Sequence, residues 1–336
     1  MAGPRGRSRR ATATGRKVVA ASTSEAVHDR VPPLAVVLIV AISLLWGFNW
    51  PAMKVVVSQL SPWTFRVICV SLAGACLLLL GRLSGERVMP RPGAWLPLAM
   101  LAFFTVTLWH MLTAFALLSI GGGRAAVLAF TMPIWAAMLS VLVLGERLRW
   151  RQLTALGLGL AGIVLLLLPE LNRPETLPIG YFLMIGAAMC WAIGTVRQKR
   201  FDWQIGVLSL SGWQLIIGGI PIVAVWAVLE PSPDFSRLTP LGIAALAYVV
   251  LVALVFCFSS YIRLVSLLPA NIAAISTLAI PVVGLWSSAL LLGEPVGPAD
   301  ALALALIVSA LALVLLRWPL PRSGIVDDTT HAKPRG

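Results

Sequence analysis

The sequence predicts an all-α integral membrane protein with ten transmembrane helices in two inverted five-helix repeats. Three observations predict it. The 336 residues are 59% hydrophobic and only 12% charged, with a mean hydropathy of +0.92, whereas a soluble domain carries about 25% charge. The stretch from Ala125-Ala126 through Pro133 to Gly145-Glu146 recurs 148 residues later as Ala273-Ala274 through Pro281 to Gly293-Glu294. Five identities in register within an apolar frame mark an internal duplication. With the N-terminus inside, 21 of the 26 Arg and Lys residues fall in cytoplasmic segments, which is the bias that orients helical membrane proteins.

Each crossing needs about 20 apolar residues to span roughly 30 Å of hydrocarbon. The apolar runs place spans at 33–56, 62–81, 94–117, 122–144, 151–169, 178–198, 206–229, 240–263, 270–292 and 298–318. Residues 1–32 form a basic, disordered cytoplasmic tail. Its Arg9-Arg10 pair has no apolar core close behind it, so a cleaved signal is not the reading. Span one contains Pro51 and ends near Lys54, whose long side chain can snorkel to water. Span two carries Arg66 a turn inside its outer start, read as snorkelling outward, with attraction of an anionic substrate group as the weaker alternative. Span three carries His110 in its outer half. Spans four and nine carry Pro133 and Pro281 and end at Gly145 and Gly293, a residue that tolerates the left-handed geometry of a helix end. Span six ends near Arg197, span seven contains Pro221, span eight ends at Arg263, and residues 319–336 form a second cytoplasmic tail.

The duplication extends beyond those segments. Trp46 and Lys54 of span one match Trp191 and Lys199 of span six, and Phe65-Arg66 of span two matches Trp213-Gln214 of span seven. The first repeat is therefore 33–169 and the second 178–318. Five crossings per repeat is an odd number, so the second copy enters the membrane from the opposite face. Inverted repeats of this kind can exchange an inward-facing for an outward-facing arrangement around a site near the midplane.

On these residues the chain resembles a ten-helix, EamA-like member of the drug/metabolite transporter superfamily. The resemblance covers roughly residues 34–318. It rests on Trp46-Gly47-Phe48-Asn49 followed by Lys54, on Pro133 … Gly145-Glu146-Arg147-Leu148, and on Trp191, Trp213-Gln214 and Pro281 … Gly293-Glu294. It implies a transporter, typically an exporter of amino acids, metabolites or toxic compounds. Gly121-Gly122-Gly123-Arg124, between spans three and four, departs from the commonest pattern of that family.

A helix proline frees the carbonyl four residues earlier: that of Ala129 for Pro133, and that of Thr277 for Pro281. An unpaired carbonyl in hydrocarbon costs several kcal/mol, so these groups face water, substrate, or the hydroxyl of a packing neighbour. Trp46 with Asn49, and Trp191 with Thr195, share helix faces at three- and four-residue spacing. An aromatic plate beside an amide or hydroxyl suits an amphipathic metabolite, while an interfacial tryptophan belt is the competing reading. Trp50 is assigned to that belt. His110 is an expensive group inside a membrane unless it faces a wet cavity, and its titration near neutral pH makes it a candidate for proton coupling. A neutral histidine bonded to a neighbouring helix is the alternative. Gln214 and Tyr261 are further pathway candidates, or helix-to-helix bonds. Glu146 and Glu294, with Gly145 and Gly293, are read as structural or gating residues near helix N-termini.

No Asp or Glu lies mid-span and no GxxxxGK[ST] loop is present, so a carboxylate ion carrier and an ATPase are not the reading. Cys69, Cys76, Cys190 and Cys257 all fall in spans, where they pack as small apolar groups. No catalytic residue, metal or cofactor is expected. The expected partners are a small-molecule substrate, the lipid bilayer and a possible second copy in a homodimer; nucleic acid is not one. The expectation is a secondary transporter, an exporter, in the plasma membrane (the inner membrane of a bacterial cell), with both termini cytoplasmic. The rivals are a cofactor-free intramembrane enzyme and a non-transporting assembly or sensor protein.

Overall fold

Ten apolar helical segments build the bundle, and the chain turns between them where proline, glycine and polar residues interrupt the hydrophobic runs. The computed structural model describes residues 33–132, 134–136, 138–139, 150–171, 178–230, 232–260 and 270–315. Span one is Pro33–Val57, span two Pro62–Leu83, span five Trp150–Leu171, span six Ile179–Arg200 and span seven Val207–Leu229. Span nine is Ala270–Leu292 and span ten Pro298–Leu315. Span two starts as its sequence dictates: the Ser61 hydroxyl accepts from the Thr64 amide, and Pro62 fills the first helical position, where no amide hydrogen is needed. Span nine ends at Gly293, whose φ of +67° is accessible to glycine at little cost. Among the described residues, six helices are long and apolar enough to cross a membrane, and shorter apolar helices cover 153–169, 279–292 and 298–313.

Three spans are irregular. Span three begins with a single tight turn at Pro92–Ala94, runs as α-helix over Trp95–Ala102, passes through a π-helical stretch at Phe103–Leu108, and resumes at Trp109–Ser119. Span eight starts at Pro240–Ala247 and continues as a π-helix over Tyr248–Cys257. These two stretches correspond under the 148-residue offset, so both repeats keep the same wide turn, a feature that recurs at functional sites. Span four runs over Gly122–Ala129 and is broken by a turn at Phe130-Thr131.

Packing follows the inverted topology. Span two lies along span seven, span five along span ten, and span one against spans eight and nine, mirrored by span six against spans three and four. Among the described residues, polar contacts near the span ends join ends that this topology puts on one side, and the charge bias of the sequence labels one side outer and the other cytoplasmic. At the outer face Glu230 accepts from the hydroxyls of Ser61 and Thr64, Gln59 accepts from the Thr239 amide at 2.9 Å, and Arg124 pairs with Asp300 at 2.7 Å. At the cytoplasmic face Glu86 accepts from the amide and hydroxyl of Ser209, both at 3.0 Å, at the start of span seven. The Trp213 indole donates to the Val88 carbonyl nearby. Large apolar side chains such as Leu83, Val228 and Leu290 are exposed on the perimeter, the expected lipid-facing surface. Trp50 is not in an interfacial belt: it is 5% exposed and packs in the core, because Gly284 of span nine leaves room for its ring while Gly122 of span four lets its backbone come close.

Replacing Glu86 with Ala removes an acceptor for the orphan amides at the span-seven N-terminus. Each charge-assisted bond contributes about 1.5–3 kcal/mol, so the melting temperature in detergent should fall markedly for Glu86→Ala and less for Glu86→Gln. An unchanged melting curve for both would mean that this cap is not structural.

Candidate functional site

The midplane of the bundle is organised by the two π-helical stretches. A wide turn leaves backbone carbonyls without their usual helical partner, and the Ala253 carbonyl of span eight accepts from the Trp46 indole at 2.8 Å. The Tyr248 hydroxyl returns a bond to the Leu45 carbonyl at 2.7 Å. Span one is thus tied to span eight in both directions, and Trp46 is held against the interior rather than turned to lipid. In the repeat-related place, Trp191 of span six packs at a tilt of 55° against Trp109 of span three, with ring centroids 4.9 Å apart. Both duplicated tryptophans therefore brace a third-position span beside its wide turn. Thr195 donates to the Trp191 carbonyl of its own helix at 2.9 Å. Gln214, 7% exposed, accepts from the Thr105 hydroxyl at 3.2 Å, and Thr107 donates to the Gly218 carbonyl. These contacts join spans three and seven.

A second cluster lies between spans one, two and three. His110 is buried, and among the described residues its Nδ1, the Asn49 Oδ1 and the Thr113 hydroxyl are buried without partners. Arg66 does not snorkel outward. It is 1% exposed, its Nε donates to the His110 carbonyl at 3.0 Å, and its Nη2 meets only the Met53 sulfur at 3.5 Å. Its guanidinium also lies 4.3 Å from the centre of the Phe65 ring. The short reach from one turn inside span two places the guanidinium under the closed outer ends of spans one and three.

The proline-bearing spans differ between the repeats. Ala129 is fully buried and ends the first helical piece of span four. After it, the Thr131 hydroxyl bonds the Leu128 carbonyl at 2.7 Å and receives the Trp135 indole at 3.0 Å. The hydroxyl thus bonds the Leu128 carbonyl at the break rather than the Ala129 carbonyl that Pro133 frees. Span nine, by contrast, is helical through Pro281, which is buried. Pro133, Tyr261, Gly145 and Glu146 lie outside the described residues, as does the side chain of Thr277.

The outer end is sealed. Glu294 accepts from the Gly122 amide at 2.7 Å and the Gly123 amide at 3.0 Å, so it caps span four rather than the span that follows it. Lys54 does not snorkel either: its ammonium donates to the Leu117 and Ile120 carbonyls at the end of span three. Arg124 binds both Asp300 and the Tyr181 hydroxyl. The cytoplasmic half is different. A cleft of about 340 Å³ lies between spans three, four and six, lined by Pro97, Leu139, Ile193 and Arg197 among others. The repeat-related outer positions of the first three residues and of Val196 are Ala245, Ser287, Phe48 and Pro51, and of these Ala245, Ser287 and Pro51 are buried.

Trp109, Thr105, Thr113 and the burial of Arg66 were not singled out by pattern. Trp109 adjoins His110 in the sequence, and that adjacency was the available signal. The others depend on which span packs alongside.

A family model described as the EamA-like transporter family matches residues 33–168 and 178–316. The chain is 28% identical to a "Probable amino-acid metabolite efflux pump" of Escherichia coli (strain K12), over 84% of this chain and 95% of that protein. It is 30% identical to "Protein PecM" of Dickeya dadantii (strain 3937), over 72% of this chain and 79% of that one. A solved crystal structure superposes with a TM-score of 0.61 at 20% identity, covering 84% of this chain and 96% of that one; this likeness concerns the fold alone.

Proposed function

We propose that this chain, which belongs to the EamA-like transporter family and is thus a multi-pass membrane transporter, exports a small polar or amphipathic metabolite by alternating access. An amino acid or drug-like compound is the substrate class we assign, and the cell membrane is its place, with both termini cytoplasmic. The name of the Escherichia coli relative supports the substrate class and direction, and the charge bias supports the orientation.

One observation carries the mechanism: of four cleft-lining positions at the cytoplasmic end, three have repeat-related counterparts that are buried at the outer end, the fourth counterpart being exposed Phe48. Two copies of one element in two arrangements are what an inverted-repeat carrier has in either of its end states. The arrangement is inward-facing, and its mirror image is the outward-facing state. The broken span four and the unbroken span nine fit the same asymmetry. Trp46 and Trp191, each braced on a span with a wide turn, flank the substrate on its way through, with Asn49, His110 and Gln214 as the polar groups nearby.

Purified protein in vesicles loaded with a radiolabelled amino-acid mixture should release label faster than empty vesicles, and external unlabelled substrate should drive exchange. Trp46→Ala and Trp191→Ala should each cut that flux roughly two- to tenfold, since an aromatic contact contributes about 0.5–1.5 kcal/mol, with no loss of folded protein. Full flux in both variants would remove the aromatic site. No flux from the wild type across the mixture would remove the export reading.

A further inference from the structure

We propose that Arg66, His110 and Thr113 form an anion-binding subsite that takes the carboxylate of the transported substrate. The inference rests on the transport reading above and adds the charge of the substrate to it. A guanidinium offers five N–H donors and no acceptor. Here it is buried, yet among the described residues its partners are one backbone carbonyl, a thioether sulfur, which is a weak acceptor, and the face of the Phe65 ring, none of them an anion. No Asp or Glu lies mid-span anywhere in the sequence, and the outer carboxylates described here are committed elsewhere: Glu230 to Ser61 and Thr64, Glu294 to Gly122 and Gly123, Asp300 to Arg124. A charge taken out of water without a counter-charge is strongly unfavourable, so the site is complementary to an anion.

The surroundings supply the rest of such a site. His110 and Thr113 are three residues apart, on one face of span three. The Nδ1 of one and the hydroxyl of the other are buried and unpartnered. Asn49 lies one turn below Met53 on the face of span one that meets Arg66, and its Oδ1 is likewise unpartnered. Three buried polar atoms without partners among the described residues, on the spans that contact Arg66, are costly unless a ligand completes them. Arg66 and the Thr113 hydroxyl supply donors for a carboxylate, and Asn49 accepts from a donor elsewhere on the same molecule. Trp63 packs edge-on against Phe115 and Trp109 adjoins His110 in the chain, so intrinsic tryptophan fluorescence reports occupancy.

The experiment titrates the full-length protein in a neutral detergent with a panel of small carboxylates, acetate, phenylacetate and indole-3-acetate, each against its uncharged amide. The wild type is expected to bind at least one carboxylate more than about tenfold tighter than its amide, the scale of a charge-assisted hydrogen-bond pair. Arg66→Gln should abolish that preference and Arg66→Lys should restore part of it. Thr113→Val separates binding from folding. It replaces an unpartnered hydroxyl by a methyl of the same shape, so the melting temperature should hold or rise while carboxylate affinity falls severalfold. Equal binding of acid and amide by the wild type, or Arg66→Gln and Thr113→Val variants that keep the preference, would overturn the subsite. So would loss of carboxylate binding on adding phosphatidylglycerol, which would make a lipid headgroup the occupant. Flux in vesicles keeps the two readings apart: wild-type flux with no carboxylate preference sinks only the subsite, and carboxylate binding without flux sinks only the export reading.

Discussion

Glu294→Ala is expected to open the outer end of the bundle and to abolish exchange. Its two oxygens hold the first amides of span four, at 2.7 and 3.0 Å. Those amides are among the helix-terminal donors without an intrahelical partner, and the positive end of the helix dipole adds to the attraction. Lys54 does the reciprocal work on the last carbonyls of span three, where a cation is favoured. Between them they fasten spans one and nine to the outer ends of spans three and four. Two charge-assisted bonds amount to about 3 kcal/mol or more, and a change of that size moves a closed-to-open ratio by roughly a hundredfold. Ser288 lies under this seal and is fully buried. A cysteine placed there should react with a membrane-impermeant thiol reagent at least tenfold faster in the Glu294→Ala background, with Glu294→Gln intermediate. Equal reactivity would mean that the carboxylate does not hold the seal.

The second large effect concerns Gly47. A Cβ built there falls 2.5 Å from the Cβ of Val283 and closer still to its Cγ1. Val283 is β-branched and has little rotamer freedom inside a helix, so span one cannot keep its distance from span nine once Gly47 gains a methyl group. Overpacking of this kind costs about 1–3 kcal/mol. Because it falls at the close contact between spans one and nine, it should also depress flux more than tenfold. The second-site change identifies the cause. Val283→Gly should restore both stability and flux to Gly47→Ala, whereas Val283→Ala, which keeps the Cβ, should restore only part. Additive damage in the double variants would show that the contact between spans one and nine is not the reason.

Much of this fold was legible in the sequence because long apolar runs in a membrane leave the backbone one economical choice, the helix. The Gly293 helix end and the Pro62 helix start follow from residue geometry and fell where the pattern put them. The inverted arrangement followed from an odd number of spans per repeat and a lopsided distribution of basic residues. Features set by neighbours were not legible. Arg66 and Lys54 sit near span ends, where a long cation ordinarily reaches water, and only the packing of span three turns both inward. Trp50 looked interfacial by depth, but Gly284 of span nine makes room for its ring and Gly122 of span four for its backbone. The wide turns of spans three and eight have no residue signature in Phe103–Leu108 or Tyr248–Cys257. Their carbonyls are recognised only through partners such as Trp46. Glu294 was read as a residue near the N-terminus of the span that follows it, whereas the helix it caps belongs to the other repeat.

The central claim is that the two repeats exchange arrangements about a common centre. Paired spin labels on the full chain, with its four cysteines replaced, test it most directly: one pair at exposed Ser58 and Leu290 on the outer ends of spans one and nine, the other at Trp150 and Asp202 on the inner ends of spans five and six. Substrate and the Glu294→Ala change should lengthen the outer distance and shorten the inner one together, in opposite directions and in matching proportion. Distances that stay fixed, or that lengthen at both ends at once, would contradict the account.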